Sequence, residues 1–100
     1  MIDKKAYNLL IEFAMTKPQV REVYVGLRNG RDVAYFHTGE ILDSWFNQEL
    51  AKLREELKQK GLADSGVFFE AVHFSLDALV KSPRFKGERI WDRESANKSQ

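Results

Sequence analysis

Two histidines are the residues of this chain best suited to acid–base or metal chemistry, and each has a carboxylate nearby in the predicted structure. His37 ends a predicted strand and lies opposite Glu22 once that strand pairs with its neighbour. A carboxylate beside an imidazole orients the ring and favours its charged form, as general acid–base catalysis requires. Such pairs are also common on protein surfaces, and no nucleophile can be placed beside this one. We therefore expect a protein that is not an enzyme.

The second histidine, His73, follows Glu70 at a spacing of three residues, which can present two ligands to one metal on a helix. A metal site usually needs three or four ligands, and the Glu-x-x-His spacing occurs once. The chain has no cysteine, which excludes thiolate metal sites, disulfides and thiol nucleophiles. Neither phosphate-binding glycine motif is present. We expect no metal and no cofactor.

A mixed aromatic and basic surface is the feature that departs most from an ordinary small domain. It would lie on one face of a predicted β-hairpin and carries Tyr24, Arg28, Arg31, Tyr35 and His37. Aromatic rings beside basic groups can stack on bases and hold phosphates, and they are also enriched at protein interfaces. These residues fit three alternatives. The face binds nucleic acid, it binds a protein, or it has no binding role because a helix covers the tyrosines and water surrounds the arginines.

The hairpin that positions these residues is closed by Asn29 and Gly30. This dipeptide tolerates the positive φ angles of a two-residue type I′ turn and therefore fixes the register of strands 22–28 and 31–37. Alternation then places a second, apolar set of side chains on the opposite face, which we predict to be the core face. That set is Val23, Val25, Leu27, Ala34 and Phe36.

Residues 3–16 are predicted to form a helix that is capped by Asp3 and ends before Pro18. Besides a core-facing stripe, this helix has a second apolar stripe, so its apolar arc is wider than a one-sided surface helix needs. Either the domain covers both sides, or the second stripe meets a partner. The second stripe consists of Tyr7, Ile11 and Met15.

Residues 42–60 have the clearest helical pattern, and Gly61 suits the left-handed position that follows a helix. Their apolar residues form one narrow stripe that we expect to cover the apolar face of the hairpin. The stripe is Leu42, Phe46, Leu50, Leu53 and Leu57.

Residues 66–81 are ambiguous. Residues 67–69 have strand character, but polar residues recur at helical spacing after them. We favour a helix that is capped by Ser65 and ends before Pro83, with a strand as the alternative. A short third strand at 88–91 would help to cover the hairpin.

The fold class that follows is α+β: a β-hairpin, with the short third strand as an option, packed against two or three helices. Residues 1–91 form a single small domain, and residues 92–100 form a disordered tail. The formal net charge of +1 argues against attraction to nucleic acid or membrane through bulk charge. No segment reaches the length of a membrane span, and we expect a cytoplasmic protein.

The expected function is a small non-catalytic module that binds another protein, as a regulator or inhibitor, with a homodimer as one form of that interaction. The expected contact residues are the mixed hairpin face and the second stripe of the first helix. Nucleic-acid binding through Tyr24, Tyr35 and the arginines is the alternative.

Overall fold

A four-stranded mixed β-sheet forms the centre of the computed structural model, which describes residues 2–64, 66–74 and 76–98. The strands lie in the order β3-β2-β1-β4; β2 and β3 are parallel, and the other neighbours are antiparallel. The elements are a 3₁₀ turn Lys4–Ala6, α1 Tyr7–Thr16, β1 Glu22–Arg28, β2 Arg31–His37, α2 Ser44–Gln59, β3 Phe68–Val72, α3 Asp77–Val80, β4 Phe85–Asp92 and α4 Arg93–Lys98. The α+β class is confirmed, with a sheet in place of a bare hairpin.

The hairpin has the predicted register. Asn29 and Gly30 have φ angles of 53° and 80°, the left-handed values that a type I′ turn requires. Val25 pairs with Ala34, and Glu22 pairs with His37 at the open end. Local turn chemistry is therefore sufficient to align these two strands.

The main core lies between one face of the sheet and helices α1 and α2. Asp3 caps the first helical turn as predicted, since its side chain accepts a hydrogen bond from the backbone N–H of Lys5 at 2.9 Å. The stripe of α2 is buried from Phe46 to Leu57, while Leu42 is half-buried before the helix begins. Among the helices of the described residues, none has both the length and the apolar character needed to cross a bilayer.

The favoured helix at 66–81 is wrong, and the strand alternative is right. Strand β3 occupies Phe68–Val72, and only the short α3 follows it; the predicted cap, Ser65, lies outside the described residues. Phe69 packs on the main core, whereas Val72 belongs to a cluster on the opposite face of the sheet. Because both faces of β3 meet apolar neighbours, its sequence lacks the alternation that identifies a one-sided strand.

The predicted third strand is longer than expected. Strand β4 covers Phe85–Asp92 and pairs with β1 at the sheet edge. Where the sequence indicates a disordered tail, the structure has helix α4, although residues 99–100 of that tail lie outside the described residues. The guanidinium of Arg93 donates to the carbonyls of Ala14 and Val20 at 2.8 Å each, so the start of α4 is bound to the turn after α1.

Candidate functional site

The two residues singled out for acid–base chemistry meet at the open end of the hairpin. Glu22 begins β1 and His37 ends β2, and as Cα partners they project to the same face of the sheet. The Nδ1 atom of His37 lies 2.8 Å from Oε1 of Glu22. Because a carboxylate only accepts, Nδ1 carries the hydrogen and donates it, which leaves Nε2 as the second polar atom of the ring.

Two further side chains converge on Glu22. The hydroxyl of Tyr24 donates to Oε2 at 2.8 Å, and Nη1 of Arg89, on β4, donates to the same oxygen at 3.1 Å. Burial alone would raise the pKa of Glu22, but hydrogen bonds from Tyr24, His37 and Arg89 outweigh it and lower the pKa below its usual 4.5. Burial and the hydrogen bond to Glu22 raise the pKa of Tyr24 to about 12. Glu22 is thus a stable anion at neutral pH that joins three strands.

This network opens into a cavity of about 630 Å³ at the end of the sheet. Arg21 contributes a guanidinium that makes no hydrogen bond or ion pair within the described ranges. No group of three or more metal-ligating side chains occurs among the residues that the structure describes. The lining consists of Pro18, Arg21, Glu22, His37, Asp77, Arg89, Asp92, Arg93 and Glu94. The arrangement can orient His37 and hold polar groups of a ligand, with charges of both signs.

Arg89 and Asp92 are absent from the set predicted by sequence. They reach the cavity because β4 pairs with β1, which places Arg89 opposite Tyr24 and Asp92 opposite Glu22. The sequence does predict a strand at 88–91. Its local pattern does not show which strand it pairs with, so the sequence could not place Arg89 and Asp92 beside Glu22.

The tyrosines of the mixed face are not where a binding role requires them. Tyr24 is 5% exposed and Tyr35 is 1% exposed. Both rings belong to a second apolar cluster with Leu76 and Phe85, which covers this side of the sheet. The expectation that these rings contact a partner directly is therefore corrected: neither has a face open to stacking.

The two arginines of that face remain exposed, but each is held in place by one internal bond. Nη1 of Arg28 donates to the hydroxyl of Tyr35 at 2.8 Å. Nε of Arg31 donates to the carbonyl of Gly66 at 3.0 Å, and its guanidinium lies 5.0 Å from the centre of the Phe68 ring. These arginines lie at the turn end of the sheet, at the opposite end from His37.

The structure partly buries the second stripe of α1 and leaves the rest of it exposed. Tyr7 is half-buried and packs against the main core, and Ile11 is half-buried as well. Met15 is 57% exposed. The structure therefore leaves only the C-terminal part of this stripe open to a partner.

A different apolar surface lies at the His37 end of the sheet. Ile41, Trp45 and Phe74 are 80%, 40% and 59% exposed; we call these three residues the apolar rim. Ile41 and His73 line one groove of about 180 Å³, and the rings of His73 and Phe74 are 5.5 Å apart. Trp45 contacts Phe46, another residue of that groove, with the ring centres 5.6 Å apart. Ile41 thus lines the groove itself, while Trp45 and Phe74 each contact a residue that lines it.

Comparison of the chain with models of known protein families, with curated proteins and with solved structures finds no match.

Proposed function

We propose that the protein is a non-catalytic module that binds another protein through the apolar rim, and that it acts in the cytoplasm as a regulator or inhibitor of that partner. The observation that carries the proposal is the exposure of Ile41, Trp45 and Phe74 together at one end of the sheet. Exposed large side chains that are scattered singly need no explanation, but a group of them around one groove, beside polar residues, is typical of an interaction site.

The segment that presents the rim is held in place before any partner arrives. Thr38 is buried, and its hydroxyl donates to the carbonyl of Glu40 at 2.6 Å. The backbone N–H of Thr38 donates to the carbonyl of Val72 at 2.8 Å. These bonds fix the chain between β2 and α2, so Ile41 projects without a large loss of conformational entropy on binding.

Charge around the rim supports a partner of a particular kind. Glu40 and Asp43 flank Ile41 and Leu42 in the sequence and are exposed. Neither carboxylate makes a hydrogen bond or ion pair with side chains in the described part of the chain. Complementary charge favours encounter and fixes register across an interface. The partner surface that fits is an apolar anchor flanked by lysine or arginine.

Site-specific photo-crosslinking in the native host tests the proposal. A benzophenone amino acid replaces Phe74 in one variant and Met15 in another, because these side chains are almost equally exposed and Met15 represents the competing surface on α1. A third variant carries it at Ala51, on the outer face of α2. We expect one crosslinked protein from position 74 and none from positions 15 and 51.

The recovered protein is then purified and titrated against defined variants. We expect Ile41→Asp to weaken its binding at least about tenfold, as the loss of an interface anchor does. Glu40→Lys combined with Asp43→Lys should weaken it further at low salt, whereas Met15→Asp should have no effect. Crosslinking from position 15 alone, or unchanged affinity for Ile41→Asp, would refute the rim as the binding surface. If sedimentation shows a dimer that Ile41→Asp dissociates, the partner at the rim is a second copy of this chain.

A further inference from the structure

The outer edge of β4 carries backbone hydrogen-bonding groups that the proposed function does not use. This strand is the last in the sheet order β3-β2-β1-β4, so only β1 lies beside it. In an antiparallel pair, every second residue turns its N–H and C=O away from the partner strand. Within the described part of the chain, no backbone group of residues 86–90 bonds to any element other than β1. Such an edge is a ready template for a further strand.

The part of this edge that can pair regularly is short and is centred on Gly87. Pairing with β1 skips Ile90, and a bulge of this kind bends and twists the strand. At the other end, the N–H of Phe85 donates to the carbonyl of Ser82 at 3.2 Å, which closes the turn before β4. The regular stretch is therefore Phe85–Arg89, and Gly87 is its middle residue.

Two charges of opposite sign flank Gly87. Lys86 and Glu88 are exposed and project to the same face of the sheet, on either side of the glycine. Neither side chain makes a hydrogen bond or an ion pair within residues 2–64, 66–74 and 76–98. Both line a groove of about 350 Å³ together with Lys4 and Asp32, so the charges of the groove sum to zero. Bulk charge therefore selects neither an anion nor a cation here.

We propose that two copies of this chain pair in antiparallel orientation through β4, about a two-fold axis at Gly87, which joins their sheets into one. A two-fold interface is self-complementary: if one residue meets a second, the second also meets the first. Pairing centred on Gly87 places Lys86 of each copy directly opposite Glu88 of the other, so the contact occurs twice in the dimer. Opposite charges in that position stabilise paired strands.

The same charges exclude the neighbouring registers. Centring the pairing on any charged residue of the regular stretch would place that charge directly opposite its own copy, and like charges there are destabilising. Centring it on Phe85 would place Lys86 opposite Arg84. The Gly87 register is the one within the regular stretch that has no like-charge pair. Strand β4 thus carries both halves of its own complement, which selects a second copy over an unrelated strand.

Sedimentation equilibrium of the full chain, at concentrations up to about 1 mM, tests the proposal. So short a ladder makes a small interface, and we expect a weak dimer that forms as the concentration rises. Lys86→Glu and Glu88→Lys should each weaken it about tenfold or more, because both cross-strand pairs become like-charged. An equimolar mixture of these two variants should dimerise as the wild type does, since each glutamate then faces a lysine. The control is Lys60→Glu, on the exposed face of α2, which should have no effect.

Amide hydrogen exchange locates the interface, because the outward amides of residues 85–89 should exchange more slowly at high protein concentration than at low. A thermal melt of each variant verifies the fold. A monomer at every concentration would overturn the proposal, and so would a mixture of the two variants that stays monomeric. A dimer weakened equally by Lys60→Glu would reflect bulk charge instead. If Ile41→Asp dissociates the dimer and the two β4 variants do not, the contact belongs to the apolar rim and the β4 edge is rejected.

Discussion

Glu22 and Arg89 are 67 residues apart in the chain, yet Oε2 of Glu22 accepts a hydrogen bond from Nη1 of Arg89 at 3.1 Å. The same carboxylate bonds to His37 on β2 and to Tyr24 on β1. One half-buried anion thus ties the ends of three strands together. Its protonation state should therefore be visible in the stability of the whole sheet.

The free energy of unfolding should decrease in acid because Glu22 takes up a proton more readily in the unfolded chain than in the folded one. The pKa of Glu22 is lowered in the folded protein, so its contribution is complete above the unfolded value of 4.5 and is lost as pH falls through the folded value. Glu22→Gln should cost about 2 kcal/mol at neutral pH, because three donors lose a charged acceptor. The loss of stability below pH 4.5 should also become shallower. Urea unfolding across the acid range measures both effects, and Glu55→Gln, a surface ion-pair residue on α2, is the control.

The free energy of unfolding should decrease in alkali because Tyr24 ionises more readily in the unfolded chain than in the folded one. Its pKa is raised from 10.0 to about 12, so its contribution is complete below pH 10 and is lost as pH rises toward 12. Tyr24→Phe keeps the buried ring but cannot ionise, and it should cost about 1 kcal/mol at neutral pH through the lost hydrogen bond. Chemical unfolding between pH 9 and pH 12 should then show a flatter profile for the variant. A profile unchanged from wild type would mean that Tyr24 does not titrate with folding.

Backbone conformation alone should decide which residues can replace Gly30 in the hairpin turn. Gly30 has a φ of 80°, and a Cβ added there would meet no atom within 4 Å. Gly30→Val should cost at least about 1–2 kcal/mol, because a β-branched residue is strained in the left-handed region. Gly30→Asn should cost much less, since asparagine tolerates that conformation. Thermal melts of the two variants compare them directly, and equal melting temperatures would contradict the type I′ assignment.

Strands β1 and β4 should tolerate no side chain where their glycines meet. A Cβ on Gly87 would lie 2.8 Å from Cα of Gly26 and would also collide with the carbonyl oxygen of Val25. Gly87→Ala should therefore cost about 1–3 kcal/mol through forced separation of the strands. Gly66→Ala is the matched control, because its nearest contact, with Asp64, is an ordinary 3.4 Å. Urea melts should leave the control within about 0.5 kcal/mol of wild type.

The two faces of α2 should differ sharply in their response to truncation. Leu53 is buried in the main core, whereas the side chain of Lys52 is 75% exposed. Leu53→Ala should cost about 2–5 kcal/mol through lost burial and a residual cavity. Lys52→Ala should be nearly neutral, since its ion pair with Glu49 is a surface pair. Similar costs for the two variants in urea unfolding would contradict the assignment of the core face.

The sequence by itself determined the elements whose signals are local. The turn dipeptide Asn29-Gly30 set the register from Glu22↔His37 to Arg28↔Arg31, because type I′ geometry leaves one pairing. The apolar stripe of α2 and the cap at Asp3 follow from interactions within one or two turns of helix. The Glu22–His37 contact could be predicted for the same reason.

Only the tertiary structure decided which elements lie beside the hairpin. Strand β3 pairs with β2 in parallel through the crossover that contains α2, and no local pattern encodes that choice. Pairing of β4 with β1 brought Arg89 to Glu22, and the segment around Leu76 covered Tyr24 and Tyr35. An aromatic residue on a strand is equally suited to a covered face and an open one. Its exposure is set by what packs against it from distant parts of the chain.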